Sequence, residues 1–352
     1  MINFKKFTKV GVVGVGGYVP RYRLRVEEVA RSRGKDGKKI VGSLGVEQKA
    51  VGDKDEDTVS LAVEVGRRAL KRAGVGASKL GAVLVGSESH PYAVKPTGSI
   101  VAEILGVGNE YITADLEFAC KAGTTGMAMI AGMIEAGMID LGLAIGADVA
   151  QCQPGDALEF TAAAGAAGVI LGSKKHSWLA EVEHYGSFNS DTPDFWRREG
   201  EKYPKHAGRF TGEPAYFKHV VEGTKRFLRK TKEKIGGFDQ VILHMPNGKF
   251  PKRAGQRLGV EWEKMEKGFL VKEMGNPYSA SAMLGLVKVV EEGKRGEKIL
   301  MTSYGSGAGS DSFSMKIKKN IDEKKADLAG QLAKVEQISY AEYLKLVRER
   351  NL

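Results

Sequence analysis

The sequence predicts an α/β fold built from two similar halves. Continuous apolar runs of strand length alternate with longer segments in which apolar residues recur at helical spacing. Several of the apolar runs end at glycine or at a polar residue, as parallel strands buried on both faces do. Three stretches in the first half also have counterparts of similar character in the second half. These repeats indicate an internal duplication of strand–helix units.

The elements of the first half follow from these patterns in chain order. Residues 9–20 predict a strand ending in a glycine-rich turn, which is not a dinucleotide-binding fingerprint because Val19 stands where a third glycine belongs. Residues 55–73 predict a helix, with Asp57 as its N-cap and Gly74 as its stop. The further predicted elements are a strand at 80–85, a helix near 97–105, a strand within 111–118, a helix at 127–136, a strand at 141–145 and a strand within 161–172.

The second half repeats the series after a polar, aromatic-rich segment at 187–214 that predicts a long functional loop. LGAVLVGSE matches FDQVILHMP in place and character, ACKAGTTGM matches GNPYSASAM, and LGLAIGAD matches KILMTSYG. The predicted elements are a helix at 215–235, a strand at 240–243, a helix after it, a helix at 276–291, strands at 298–302 and 313–317, and a charged helical tail. We therefore predict an N-terminal half at 1–175 and a C-terminal half at 176–352.

Bulk composition restricts the class of protein. A chain of 352 residues can bury a large core, and two cysteines predict a reducing compartment, which we take to be the cytoplasm. No apolar run is long enough for a membrane span. The formal net charge of +11 suits a phosphate-bearing ligand or a nucleic acid. We find no nucleic-acid-binding motif and no metal-ligand spacing, so the small phosphorylated ligand is favoured and no metal is expected.

Four reactive side chains lie at the ends of predicted strands or the starts of predicted helices: Glu88, Cys120, His244 and Asn276. Ligands of open α/β sheets gather at the carboxyl ends of strands, so related halves can direct these groups into one site. Cys120 stands where a strand becomes a helix, and backbone N–H groups and the helix dipole there favour a thiolate. Together the four residues supply a nucleophile, a base, an acid and an amide donor.

Each of these residues also has a structural interpretation. Cys120 beside small residues suits a buried apolar side chain, and Glu88 suits a solvated turn. His244 suits a hydrogen-bonded core histidine, and Asn276 at a helix start suits a cap. Their joint occurrence at equivalent places in the two halves favours chemistry.

Several motifs together carry a family resemblance. These motifs are YVPRYR (18–23), GSESHPYAVKPTG (86–98), EFACKAGTTGM (117–127), DFWRREGEKYP (194–204), HMPNGKFPKRAG (244–255), MGNPYSASAM (274–283) and SYGSGAGSDSF (303–313). In them the chain resembles the hydroxymethylglutaryl-CoA synthases, thiolase-fold condensing enzymes of the mevalonate route, in their shorter archaeal form. The resemblance implies a thiolase fold, with two halves related by a pseudo-twofold axis in five αβαβα layers.

The resemblance also implies a reaction. Cys120 would take an acetyl group from acetyl-CoA, and Glu88 would remove a proton from its methyl group. Burial should raise the pKa of Glu88 for this task. The enolate would attack acetoacetyl-CoA, His244 would protonate the alkoxide, and Asn276 would hold the acetoacetyl group. Backbone N–H groups of Cys120 and Ser306 would form the oxyanion hole, and water would cleave the enzyme thioester.

Motif matching extends the implied site. Arg209, Lys249 and Arg253 are candidates for the CoA phosphates, although a solvated basic face is the alternative. Thr161, Thr211 and Ser306 are candidates for polar groups of the substrates, and Asp194 for tuning acylation. No cofactor is implied beyond the CoA thioester substrates.

The family implies partners as well: a homodimer, and in archaeal members a complex with an acetoacetyl-CoA thiolase and a small zinc-ribbon, oligonucleotide-fold protein.

Three other activities compete with this interpretation. A ketoacyl-ACP synthase of the initiating type also uses Cys, His and Asn, but it needs no base where Glu88 stands. A degradative thiolase would need a second catalytic cysteine near SYGSGAGS, which has none. A non-catalytic acyl-CoA-binding scaffold is the third, and it leaves the full set of reactive groups without a purpose.

Overall fold

One ten-stranded sheet organises the chain. The structure is a computed structural model that describes residues 4–321 and 327–349. The strands run in the order β12-β13-β14-β9-β2-β8-β7-β5-β6, and β1 pairs with β9. The strands of this sheet are β1 (Phe4–Lys6), β2 (Gly11–Tyr18), β5 (Ala82–Gly86), β6 (Ile112–Leu116), β7 (Leu141–Val149), β8 (Ala164–Gly172), β9 (Ala180–Asn189), β12 (Gln240–Leu243), β13 (Lys298–Gly305) and β14 (Gly309–Ile317).

The two halves of the sheet repeat one pattern of pairing. In the first half, β5 is parallel to β7, and β7–β8 and β8–β2 are antiparallel. In the second half, β12 is parallel to β13, and β13–β14 and β14–β9 are antiparallel. Strands β2 and β9 join the halves through the pairs Gly11–Glu181 and Val12–Ala180. The predicted duplication is confirmed, whereas the division at residue 175 stays a prediction.

Helices cover both faces of each half. None of the helices in the described ranges is both long enough and apolar enough to cross a bilayer. The helices are α1 (Val26–Ser32), α2 (Gly37–Leu44), α3 (Thr58–Ala73), α4 (Thr97–Leu105), α5 (Ala122–Glu135), α6 (Gly223–Thr231), α7 (Lys249–Leu258), α8 (Glu263–Glu266), α9 (Val271–Met274), α10 (Ser281–Glu292), α11 (Leu328–Ala333) and α12 (Tyr340–Glu349). Three short strands, β3 (Tyr22–Arg25), β4 (Gln48–Val51) and β15 (Glu336–Gln337), form a separate sheet, and β10 (Phe195–Trp196) pairs with β11 (Lys205–His206).

Five layers result from this arrangement. Helix α3 packs on β2, β7 and β8, and α6 packs on β9 and β14, so these helices form the outer layers. Helix α5 packs on β5 and β7, and α10 contacts strands of both halves. Two adjacent glycines of β2 show the two faces of one strand. A Cβ at Gly16 would lie 2.4 Å from the Val65 carbonyl oxygen of α3, and a Cβ at Gly17 would lie 3.2 Å from Leu284 of α10. The predicted α/β fold class with αβαβα layers is confirmed.

Local sequence signals explain the helix ends. The Asp57 side chain accepts from the Ser60 N–H in a capping box, and Gly74 ends α3 with a φ of 67°. The apolar stripe of α3 is buried at Leu61, Ala62, Val65, Ala69 and Leu70, among others.

The structure adds elements that the sequence analysis did not predict, among them α1, α2, β3 and β4, and it differs from the prediction in further segments. Residues 180–189 form β9, a central strand that the pattern missed because its burial alternates instead of being continuous. The predicted helix at 215–235 begins as π-helical turns at Thr211–Tyr216 and Lys218–Glu222, and becomes α-helical only at Gly223. The tail was predicted to be helical and also contains β15, which pairs with β3.

Two Gly→Ala substitutions should shift stability in opposite directions. Gly16→Ala should lower the thermal midpoint because its Cβ would collide with backbone atoms of α3, at a cost of about 1–3 kcal/mol. Gly42→Ala lies in α2 with nothing within 4 Å of the added Cβ, so it should stabilise by about 0.5–1 kcal/mol. Thermal unfolding followed by circular dichroism measures both, and equal shifts would contradict the layer assignment.

Candidate active site

Cys120 lies at a strained turn between a strand and a helix. Strand β6 ends at Leu116, a short 3₁₀ turn covers Ala119–Lys121, and α5 begins at Ala122. Ala119 has a φ of 43°, a left-handed conformation that non-glycine residues rarely adopt. Such strain clusters at functional sites because the surrounding structure has to hold it in place. The thiol of Cys120 is buried and is not part of a disulfide bond.

The structure brings Glu88 against this thiol. The Cys120 thiol donates a hydrogen bond to Glu88 Oε1, with Sγ and Oε1 3.0 Å apart. Burial, with a smaller contribution from the nearby Asp148, raises the pKa of Glu88 to about 8. Burial also raises the pKa of Cys120 well above its ordinary value, and Glu88 adds to this rise. The thiolate expected from the helix dipole is therefore wrong for the resting state, because burial and a neighbouring carboxylate outweigh the dipole.

Asp148 is a buried carboxylate that the sequence analysis did not single out. Its Oδ1 accepts from the hydroxyls of Ser87 and Ser89 and from the N–H of Glu88, at 2.7–2.8 Å. Its Oδ2 accepts from the N–H of Ser279 at 2.8 Å. Asp148 thus connects two segments: the turn that carries Glu88, and the short turn at Ser279 that precedes α10. The available signal was its place at the end of the run LGLAIGAD.

The imidazole ring of His244 is buried, and it has no hydrogen-bond partner among the described residues. It follows β12, and its carbonyl oxygen accepts from the Tyr216 hydroxyl at 2.7 Å. Neither ring nitrogen has a partner among the described residues. Burial lowers the pKa of His244 to about 3, so the imidazole is neutral. An orphaned buried polar group is costly, so these two nitrogens are available to a ligand that enters the site. This finding excludes the hydrogen-bonded core histidine considered from the sequence.

Asn276 does not cap a helix. The 3₁₀ turn that follows, Tyr278–Ala280, has Pro277 at its N-cap and no side-chain capping bond. The backbone of Asn276 pairs with the 161–163 segment, donating to the Thr161 carbonyl at 2.7 Å. Its buried Oδ1 has no partner in the described part of the chain. Tyr278, at the place equivalent to the nucleophile turn, has a φ of 38°.

A glycine-rich loop after β13 carries Ser306. Asp194 is fully buried and holds this loop, because its carboxylate accepts from the Tyr304 hydroxyl at 2.7 Å and from the Gly307 N–H at 2.8 Å. Both Asp194 oxygens are therefore engaged within the chain. Tyr304 also lies 6.0 Å from His244, centroid to centroid, which links the loop to the histidine.

A cavity of about 520 Å³ opens beside Glu88 and Ser306, and its lining does not include Cys120, His244 or Asn276. Arg197 Nη2 donates to the Glu88 carbonyl at 3.4 Å, and its charge lowers the pKa of Glu88, although burial outweighs it. Ala162 and Tyr278 share an apolar cluster with Cys120, so Asn276 and its neighbours lie on the nucleophile's side. The cavity is lined by Ser87, Glu88, His90, Pro91, Ala119, Gln151, Phe195, Trp196, Arg197, Arg198, Tyr278 and Ser306, among others.

The three candidate phosphate ligands lie on the protein surface. Arg209, Lys249 and Arg253 are exposed and form no ion pair within the described ranges. The guanidinium of Arg253 lies 5.0 Å from the Phe217 ring, and the 209–212 segment reaches the same ring through Gly212. The Thr211 hydroxyl donates to the Gly208 carbonyl at 3.0 Å. The lining of the Glu88 cavity includes Arg197 and Arg198 instead of these three.

Two further residue sets have no role in the proposed chemistry. Cys152 is buried in the same apolar cluster as Cys120, and its sulfur lies 3.7 Å from the Tyr343 hydroxyl. Among the described residues, Glu183, His184 and Glu233 have a spacing that could hold a metal ion. The Lys298 ammonium lies 2.8 Å from Glu233 and 3.8 Å from Glu183, so a cation already neutralises these carboxylates.

The sequence was then compared with known proteins. Residues 6–176 match the family model of the hydroxymethylglutaryl-coenzyme A synthase N-terminal region. The curated hydroxymethylglutaryl-CoA synthase of Archaeoglobus fulgidus is 51% identical over 338 residues, which cover 96% of this chain and 98% of that protein. The chain belongs to the hydroxymethylglutaryl-CoA synthase family. A second relative of that description, from Methanocaldococcus jannaschii, is 51% identical over 95% of this chain and 97% of its own length.

Structural comparison agrees with this family assignment. A solved structure described as MvaS in complex with 3-hydroxy-3-methylglutaryl coenzyme A superposes with a TM-score of 0.83 and 25% identity, covering 98% of this chain and 92% of that one. The fold is therefore the thiolase fold predicted for hydroxymethylglutaryl-CoA synthases. Residues 228–317 match the C-terminal model of 3-oxoacyl-ACP synthase III, the runner-up family. This second match covers the half that carries His244 and Asn276. Glu88 and Cys120 lie within residues 6–176, which match the hydroxymethylglutaryl-CoA synthase model.

Replacing Glu88 should change how stability depends on pH. The pKa of Glu88 is about 8 in the folded chain and 4.5 in its ordinary state, so the folded wild type binds this proton more tightly and loses stability as the pH rises through that window. Glu88→Gln removes the loss, so its unfolding free energy should rise relative to wild type between about pH 5 and about pH 8. Denaturant titrations measure this difference. An exposed control, Glu110→Gln, should track wild type, and a Glu88→Gln curve parallel to wild type would contradict the raised pKa.

Proposed function

We propose that the protein condenses acetyl-CoA with acetoacetyl-CoA and water to give 3-hydroxy-3-methylglutaryl-CoA and CoA, as a step of isoprenoid synthesis. The observation that carries the proposal is the 3.0 Å contact between a strained, buried cysteine and a carboxyl group whose pKa is about 8. A base poised near neutral pH beside a nucleophile suits thioester exchange followed by carbon deprotonation. The half-identical curated relatives support the same reaction.

The first step is acetyl transfer to Cys120. Glu88 in its carboxylate form takes the thiol proton across the 3.0 Å contact as Sγ attacks the thioester carbonyl. The C–S bond to CoA breaks, and the leaving thiolate takes the proton back from Glu88. Backbone N–H groups of Cys120 and Ser306 are the proposed donors to the oxyanion, since two such donors stabilise the tetrahedral intermediate without reorganising.

The second step forms the carbon–carbon bond. Glu88 removes a proton from the acetyl methyl group, and the resulting enolate attacks the ketone carbon of acetoacetyl-CoA. His244 is neutral, so its ring still holds an N–H that hydrogen-bonds the ketone oxygen and protonates the alkoxide. Glu88 then carries the proton that it took from the methyl group, and the transfer of this proton to His244 restores both side chains. Water cleaves the Cys120 thioester and releases the product carboxylate with one proton.

Substrate binding would use the remaining candidates. The Asn276 side-chain amide would donate through Nδ2 to a carbonyl oxygen of the acetoacetyl group, and Thr161, whose backbone carbonyl accepts from the Asn276 N–H, would contact the same group. Arg209, Lys249 and Arg253 would bind the CoA phosphates, and Thr211 would contact a polar group of the substrates. Asp194 would act through the Ser306 loop that it holds.

Assembly and compartment are further parts of the proposal. Strand β6 is an edge strand of the sheet, and its Ile112 is 39% exposed, so a second copy can extend the sheet there to form a homodimer. The family resemblance supports a complex with an acetoacetyl-CoA thiolase and a zinc-ribbon protein. Two unpaired cysteines support a reducing compartment, the cytoplasm.

CoA release from acetyl-CoA plus acetoacetyl-CoA tests the reaction. Cys120→Ser should form no acetyl-enzyme, whereas Cys152→Ser should keep wild-type acetylation because its sulfur contacts Tyr343 and not Glu88. Glu88→Gln should still acetylate slowly, and its condensation should fall by about 10²–10⁴ because the carbon base is gone. Intact mass follows acetylation and product release follows condensation. Near wild-type condensation by Glu88→Gln, or consumption of malonyl-ACP by wild type, would refute the assignment.

Replacing Lys249 tests the CoA surface. Lys249→Ala should raise KM for both CoA esters about 5–30-fold, or about 1–2 kcal/mol, with kcat nearly unchanged, because a phosphate contact far from the reacting carbon binds ground and transition states equally. Lys252→Ala is the matched control on α7, where its ammonium lies 4.5 Å from the Trp262 ring centroid. Steady-state kinetics with both variants decides, and an unchanged KM in Lys249→Ala removes this residue from the site.

A further inference from the structure

The residue that follows the nucleophile, Lys121, is a buried cation. Its Nζ lies 3.0 and 3.1 Å from the two carboxylate oxygens of Asp311 and 3.0 Å from the Thr125 hydroxyl. The side chains of Lys121 and Asp311 are 3% and 0% exposed. The ammonium also lies 4.1 Å from the centroid of the Phe118 ring. Because solvent hardly reaches this ion pair, the surrounding side chains determine where the ammonium and the carboxylate lie.

Asp311 collects donors from three elements. Besides Lys121, it accepts from the Tyr185 hydroxyl of β9 at 3.0 Å and from the Thr124 and Thr125 hydroxyls of α5 at 3.1 and 3.0 Å. Asp311 itself lies on β14, in the other half of the sheet. Buried ion pairs often add little stability over an apolar replacement, because both ions lose their water. A purely stabilising role therefore explains this pair poorly.

The stem of Lys121 runs against both ends of the Ser306 loop. A Cβ at Gly305 would lie 2.9 Å from Lys121 Cγ, and a Cβ at Gly309 would lie 2.9 Å from Lys121 Cε. The same added atoms would lie 2.5 Å from the Phe118 carbonyl oxygen and 2.7 Å from the Phe118 ring. A side chain at Gly305 would meet both Lys121 and the Phe118 backbone, and one at Gly309 would meet Lys121, the Phe118 ring and, at 2.1 Å, Asn189 Oδ1, so glycine fits both positions. The loop and the nucleophile turn are thus in contact through Lys121.

We propose that Lys121 is a positioning residue, and that its ion pair with Asp311 sets the spacing between the Cys120 turn and the Ser306 loop. This inference rests on the proposed function, in which the N–H groups of Cys120 and Ser306 stabilise the same oxyanion. Locking the ammonium onto β14 holds the lysine stem extended, and the stem keeps the loop at a fixed distance from the turn. Oxyanion donors must be placed before the charge develops, so a looser spacing costs transition-state stabilisation.

The experiment separates positioning from stability. Lys121→Met keeps the stem but leaves Asp311 as an uncompensated buried charge, so it should lower both the thermal midpoint and kcat. Lys121→Met/Asp311→Asn removes both charges, so its thermal midpoint should recover toward wild type. Its kcat for acetyl-enzyme formation should stay about 10- to 100-fold low with KM within about twofold, because nothing then locks the stem. Lys175→Met, which breaks the exposed pair with Asp140, is the control and should leave kcat unchanged.

Single-turnover acetylation by acetyl-CoA, followed by quench and intact mass, gives the rates. A double variant that regains wild-type kcat together with its stability would show that the pair is only structural, and would overturn the inference. A wild type that forms no acetyl-enzyme would instead overturn the proposed function, and the inference with it. If the wild type is active and neither Lys121→Met nor Lys121→Met/Asp311→Asn slows acetylation, the positioning role is refuted and the proposed function stands.

Discussion

The hydrogen bond between the Cys120 thiol and the Glu88 carboxyl group is the contact on which the rest of the site depends. It joins the end of one strand to the helix start that follows another, across 3.0 Å of buried space. Burial raises the pKa of both partners, so neither group is charged without a cost. Asp148 holds the carboxyl side of the contact, and the strained turn at Ala119 holds the thiol side. The surrounding structure thus supports a pair that would be unfavourable alone.

The resting site is nearly neutral, and this neutrality explains its other features. His244 has a pKa of about 3, and its ring nitrogens lack partners, as does Asn276 Oδ1. A site of this kind is completed by the polar atoms of its substrate, because they supply the missing hydrogen bonds. In the proposed reaction, charge develops only as the chemistry proceeds, so preplaced N–H donors stabilise it without reorganising. Arg197 lines the cavity and its charge lowers the pKa of Glu88, whereas the exposed basic surface can attract phosphorylated ligands from a distance.

Sequence patterns predicted most of the fold, and they singled out Glu88 and Cys120, which the structure places 3.0 Å apart. Strand ends, the Asp57 cap and the repeated segments are local signals, so the duplicated α/β architecture followed from them. The pKa of Cys120 could not be predicted in this way, because Glu88 lies 32 positions earlier and only the fold places it at the sulfur. The same reason hid Asp148. Strand β9 was missed because its alternating burial resembles a polar surface segment when its neighbours are unknown.

Duplication explains why two unlike groups can share one site. Ala119 and Tyr278 occupy equivalent turns, and both have left-handed backbone conformations that precede a helix at the middle of the molecule. The first turn carries the Cys120 thiol, whereas the second follows the side-chain amide of Asn276. In the second turn, the Tyr278 hydroxyl donates to the Gln151 carbonyl at 3.2 Å. The Gly123 N–H of one helix start donates to the Ser279 hydroxyl of the other at 3.0 Å, so the two turns are held face to face. A symmetric scaffold therefore fixes the geometry, and the side chains that break the symmetry supply the chemistry.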